Sequence, residues 1–200
     1  MNPHLKQELN LFIEKSQHSL TEISIQEGMF SKKIKICFEL YIHSLLFQVY
    51  TVEMLSKNQG SKTPIKKEGG GEGIDQLTLK NTFESKYELL QNLKKFRTNE
   101  IKPLKRIYIP KNLTEKRPLS IPSILDRATQ LLFLSILDPI IEPHSDLYSF
   151  GFRKGRSPMM ALAVLQKSLQ SKPDRNTRTV DIQYIWDADI RKCCDKINHD

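Results

Sequence analysis

Cysteine is scarce: Cys37, Cys193 and Cys194 are the three in 200 residues. An odd number closes no even disulfide framework, and a bridge between two sequence neighbours would be strained, so the composition points to a reducing compartment. Cys193, Cys194 and His199 have no second Cys or His pair at ligand spacing, which argues against a structural zinc site. No apolar run reaches the roughly eighteen residues that mark a membrane-spanning helix, so no membrane partner is expected. The segment MNPHLKQELNLFIEKSQ has neither the apolar core of a secretory leader nor the Arg-rich, acid-poor character of a transit peptide. No internal repeat is visible, which excludes a solenoid. Hydrophobic residues make up 38% of the chain, a low share for a compact enzyme, and one core with an appendage is the expectation.

What the chain has in excess is positive charge. Thirty-one Lys and Arg against twenty-three Asp and Glu give +8, with an isoelectric point near 9.3. Such a balance favours a polyanionic partner, nucleic acid or an acidic surface. The charge is focused: from Lys94 to Arg117 nine Lys or Arg face two Glu, a balance of +7. Inside this stretch LKRIYIPK alternates, with Ile107 and Ile109 on one side and Arg106 and Tyr108 on the other. NLTE then makes a turn and KRPLSIP returns, which predicts a basic β-hairpin. A charge run is usually a solvated face. Here the cations Lys105, Arg106 and Lys111 are interleaved with Tyr108, and that pattern favours a nucleic-acid backbone.

The remaining segments read as helices and loops. Residues 1–55 carry apolar positions at helical spacing, among them Ile36, Leu40, Leu46, Phe47, Tyr50 and Leu55, and are expected to form a helical N-terminal extension. Residues 56–75 hold five of the eight glycines and predict a flexible loop. A helix is expected over Leu79–Phe96 with Phe83, Tyr87, Leu90 and Leu93 on one face. Another begins at Ser123, whose hydroxyl can cap it with Asp126 three residues on, and runs to about Asp138, apolar on most sides. Ser157 and Pro158 predict the start of a further helix. Before it, SFGFRKGRS brings Arg153 and Arg156 into a glycine-containing loop suited to phosphate. The stretch Tyr184–Ile190 predicts a strand bearing Asp187 and Asp189 on one side.

Taken in order, GEGIDQLT, RIYIPK, KRPLSIPSILDRATQ, SFGFRKGRS and ADIRKCCDKINHD resemble consecutive blocks of the reverse transcriptase domain of group II intron-encoded proteins, the maturase reverse transcriptases. The resemblance covers about Asn58 to Asp200. It implies an α+β fold: the fingers over residues 76–180 and the start of the palm over 181–200 of an incomplete right-hand polymerase. It also implies an RNA-directed DNA polymerase that acts on intron RNA and primer/template nucleic acid. By the same resemblance Asp189 is the catalytic, magnesium-binding aspartate, with the Ile190 carbonyl as a further ligand. Lys116 and Arg117 correspond to the triphosphate-binding cations, Arg117 being favoured for its bidentate fork, and Cys194 occupies the position that contacts the incoming sugar.

Several residues depart from the family pattern. Cys194 stands where an aromatic residue is usual, Ser120 where glycine is common, and Lys154 where proline is common. No two aspartates are adjacent, so the family's Tyr-x-Asp-Asp pair is missing. Two-metal nucleotidyl transfer needs more carboxylates than Asp189 alone, and magnesium is expected only in a complete enzyme. The chain is therefore expected to be the front part of such an enzyme and inactive by itself. The alternative is a non-catalytic, maturase-type RNA-binding splicing factor or a degenerate remnant. An organelle, chloroplast or mitochondrion, or a bacterial cytoplasm is the expected location.

Overall fold

The computed structural model describes residues 2–57, 73–74, 79, 82–96, 102–110, 116–169 and 185–190. The chain divides into two units, Met1–Ser145 and Asp146–Asp200.

The first unit is built from helices α1 (Pro3–Glu27), α2 (Lys32–Ile42), α3 (Leu45–Lys57) and α4 (Phe83–Leu93), a hairpin of β1 (Lys105–Pro110) and β2 (Lys116–Ile121), and helix α5 (Ile124–Ile141). The ends of these helices follow from local chemistry. The Asn2 side chain accepts from the His4 N–H at the start of α1, and Pro3 sits in its first turn, where a missing N–H costs nothing. Gly28 ends α1 at φ +86, a backbone region open to glycine, and its N–H bonds the Ser24 carbonyl. Ser31 and Thr82 cap α2 and α4. At α5 the Ser123 hydroxyl accepts from the Asp126 N–H at 3.1 Å and donates to the Asp126 carboxylate at 2.5 Å, the cap expected from the sequence.

Helix α5 is the hub. Helices α1, α2, α3 and α4 all pack against it, and its Ala128, Leu132 and Ile136 are fully buried beside Ile13, Leu20, Ile42, Phe47 and Leu93. Rings fill the gaps: Tyr41 stacks on Phe47 at 4.9 Å, and Phe133 meets Phe38 and Phe96 at 5.7 and 5.8 Å. The segment 1–55, expected as an extension, thus shares one core with α5.

Polar groups reinforce the α1–α5 seam. Pro139 lies inside α5 and has no N–H to give the carbonyl of Ser135, four residues earlier. The Gln17 amide of α1 donates to that carbonyl instead, at 2.7 Å. Thr21 donates to the Pro139 carbonyl at 3.1 Å and Ser24 to the Ile140 carbonyl at 2.7 Å. Gln17, Thr21 and Ser24 recur at helical spacing along one side of α1, so they form a ladder against the end of α5. His144 Nε2, in a short 3₁₀ turn (Glu142–His144), lies 2.9 Å from the Ser24 hydroxyl and 3.1 Å from its carbonyl.

Two expectations change on inspection of the elements. The inward residues of α4 are Leu89 and Leu93, while Phe83 and Tyr87 are exposed, so the buried face is rotated by about a quarter turn from the one expected. Residues Ile185–Ile190 are exposed and form no strand. A strand exists only through a ladder, and among the described residues β1 and β2 are the strands and they pair with each other.

The second unit contains helix α6 (Pro158–Leu169), which begins as expected with the Met160 N–H on the Ser157 hydroxyl at 3.3 Å. None of its residues is buried. The fold class is α+β, helices with a small antiparallel sheet. Among the described residues no helix is long and apolar enough to cross a membrane.

Candidate nucleic-acid interface

The hairpin pairs Lys105 with Ile121, Arg106 with Ser120, Ile107 with Leu119, Tyr108 with Pro118, Ile109 with Arg117 and Pro110 with Lys116. Because side chains alternate across a strand and directly opposed residues share a face, this register sorts the hairpin into two surfaces. One carries Ile107, Ile109, Leu119 and Ile121, half-buried, with Lys105 and Arg117 at its two ends. The other carries Arg106, Tyr108, Pro110, Lys116, Pro118 and Ser120. Of these all but Ser120 are exposed, Tyr108 at 62%. Among the described residues no helix packs against the hairpin.

The outer surface is thus a tyrosine ring with Pro118 opposite it and a cation toward each end of the strand pair. It places Arg106, Tyr108 and Lys116 together, and it separates Lys116 from Arg117, which leave opposite faces of β2. Pro118 was not singled out from the sequence. Its signal is the register of the two strands, which seats it opposite Tyr108, and its lack of an N–H fits a strand whose far side has no partner among the described residues. Lys111 lies outside the described residues.

The loop before α6 is held by its own arginine. The Arg153 guanidinium donates to the carbonyls of Asp146 and of Ser149, the latter at 2.8 Å, which closes the turn around residues 146–153. The Arg156 guanidinium lies over the Phe150 ring at 5.8 Å, a cation–π contact. Phe152 adopts a left-handed φ of 58 with its ring fully exposed, and Gly155 has φ 75. Both arginines therefore shape the loop.

Asp187, Asp189 and Ile190 lie in the exposed, irregular segment, and Cys194 lies outside the described residues. Among the described residues no group of three or more His, Cys, Asp or Glu side chains comes together to hold a metal ion.

No family model matches the chain. Its curated relatives include protein YkfC of Escherichia coli strain K12, 26% identical over 142 residues, which is 71% of this chain and 35% of the relative. Group II intron-encoded protein LtrA of Lactococcus lactis subsp. cremoris is 29% identical over 163 residues, 80% of this chain and 24% of the relative. A 91 kDa protein in the cob intron of Schizosaccharomyces pombe is 33% identical over 113 residues, 56% of this chain and 13% of the relative. The chain is a homologue of group II intron-encoded proteins. It spans about a third or less of the length of these relatives. Against group II intron-encoded protein LtrA the similarity takes in most of the chain, more than the portion after Asn58 that the sequence blocks covered.

Proposed function

We propose that this chain is the fingers-side portion of a group II intron-encoded reverse transcriptase and maturase, and that it holds intron RNA on the outer face of its hairpin. The observation that carries this reading is the exposed stripe of Arg106, Tyr108 and Lys116. Cations of this kind neutralise phosphates, and a ring between them offers a stacking surface that accepts any base. Homology to intron-encoded proteins supports intron RNA as the partner.

The opposed directions of Lys116 and Arg117 divide the roles that the resemblance gave them jointly. Lys116 belongs to the RNA stripe, and Arg117, on the other face, is the triphosphate residue of the longer enzyme. In that enzyme Asp189 and the Ile190 carbonyl would join magnesium together with carboxylates beyond those described here. An organelle or a bacterial cytoplasm is the corresponding location, and primer and template are the further partners.

The test is the salt dependence of RNA affinity. Replacing Arg106 and Lys116 together by alanine is expected to flatten log affinity against log salt by about 1.4 to 1.8, at about 0.7 to 0.9 per lost phosphate contact. Arg117→Ala is expected to leave the slope unchanged. An unchanged slope in the double variant would move the RNA off the hairpin. The same 200-residue preparation, given a primed RNA template, magnesium and deoxynucleotides, is expected to extend no primer. Extension that Asp189→Ala abolishes would establish a complete metal site.

A further inference from the structure

A second place on the first unit joins aromatic rings to clustered cations. Phe83 and Tyr87, one turn apart on α4, stack on each other at 5.9 Å and 17°, yet they are 77% and 52% exposed. They border a cleft of about 510 Å³ between α3 and α4, walled by Val49, Val52 and Leu90. That volume suits a single small ligand. Glu53 and Lys86 line the same cleft and form a partly buried ion pair at 2.9 Å.

Three lysines lie around this carboxylate. Lys57, in the last turn of α3, faces the Lys6 ammonium, with Glu53 and Lys86 close by. Partial burial first, and then the Lys6 ammonium, hold Lys57 below the ordinary lysine pKa. Lys6, Lys57 and Lys86 against Glu53 leave a local excess of positive charge that an anion would relieve. A greasy slot with two parallel rings at its lip and spare ammonium groups at its side has the chemistry of a nucleotide: a flat π face joined to a phosphate.

We propose that the α3–α4 cleft receives one unpaired nucleotide of the bound RNA. Its base lies on the Phe83–Tyr87 stack and its phosphate at Lys57 and Lys6. The choice of RNA rests on the function proposed above. A duplex is excluded from the site because its bases already stack on one another, so the cleft confers a preference for single-stranded segments. Glu53 stands where it can accept a hydrogen bond from a base amino group. A docked protein fits less well, since a standard protein interface needs about 800 Å² per partner.

An eight-nucleotide single-stranded RNA carrying one 5-bromouridine tests this with the full chain. Irradiation is expected to crosslink the base to Phe83 or Tyr87, and a duplex of the same sequence is expected to give no crosslink there. The double variant Phe83→Ala, Tyr87→Ala is expected to lose about ten-fold or more in single-strand affinity, the range of base–aromatic stacking. Tyr87→Phe is expected to keep it, and Lys57→Gln to reduce the salt slope by about 0.7. Both rings are exposed, so unchanged melting of the variants shows that the loss is one of binding. Crosslinks that map elsewhere, or unchanged single-strand affinity in the double variant, would overturn the proposal and leave the cleft to a protein side chain. The Arg106→Ala, Lys116→Ala protein separates the two readings. If it alone loses RNA, the hairpin reading stands and the cleft fails; if only the cleft variant loses RNA, the reverse holds.

Discussion

Pro139 creates a need that Gln17 meets. A carbonyl left open by proline inside a helix would lie unsatisfied in the α1–α5 seam, and the Gln17 amide fills its coordination at 2.7 Å. Gln17→Ala is therefore expected to destabilise the protein by about 1 to 3 kcal/mol, the cost of leaving such a group unpaired, as read by chemical denaturation. Pro139→Ala in the same background restores an N–H for the Ser135 carbonyl and is expected to recover part of the loss. Lys57 illustrates the opposite balance. Its folded-state pKa is depressed, so the stability linked to it is present above about 10.5 and is lost as pH falls through the lower folded value. At neutral pH the charged side chain opposes folding, and Lys57→Gln is expected to raise the melting temperature slightly at pH 7. That gain should narrow as pH climbs past the ordinary lysine range. No narrowing would mean that the effect is not electrostatic.

Among the elements, α5 shows how burial selects within an apolar helix. Leu132 is fully buried, whereas Leu134 two positions on is 57% exposed. Leu132→Ala is expected to cost about 2 to 5 kcal/mol and Leu134→Ala within about 0.5 kcal/mol, measured by denaturant midpoints at constant slope. The sequence made α5 look apolar on most sides and could not choose between these two leucines, because the choice is made by α1, α2, α3 and α4. What was legible is what local chemistry decides. The Ser123 cap and the Ser157 helix start need partners only three residues away. The two faces of the hairpin follow from alternation, and the structure keeps Ile107 and Ile109 on one and Arg106 and Tyr108 on the other. Helix α4 was misread because Leu90 and Leu93 can be grouped with Phe83 and Tyr87 at nearly the same periodicity that groups Leu89 with Leu93. Only the position of the neighbouring helices separates the two choices. Over Ile185–Ile190 the expected strand is absent for a related reason: alternation makes a segment able to pair, and pairing itself comes from elsewhere in space. Helical spacing grouped Phe83, Tyr87 and Leu90 of the α3–α4 cleft, but its lysines left no motif, since Lys6, Lys57 and Lys86 meet only once three helices have docked.

For the whole molecule, the first unit joins segments that are far apart in sequence. Helix α1 is the first element of the chain, and the carbonyls that receive its Gln17, Thr21 and Ser24 lie 116 to 118 residues later. Removing residues 1–57 strips three helices from α5 and exposes Leu132 and Ile136. The shortened protein is expected to lose cooperative melting, and retention of a sharp transition would mean that α4 and α5 form a core by themselves. The same arrangement constrains how the protein is made. At roughly 5 to 20 residues per second of synthesis, α1 waits on the order of ten seconds before α5 leaves the ribosome. During that interval its apolar stripe of Leu9, Ile13 and Leu20 has, among the described residues, α2 and α3 for cover. Nascent chains halted before Pro139 are expected to be cut readily by protease within α1, and chains halted well beyond His144 to resist. A core whose α1 depends on the distant α5 is folded late by construction, and its yield in a cell should follow the supply of chaperones that shelter unfinished chains.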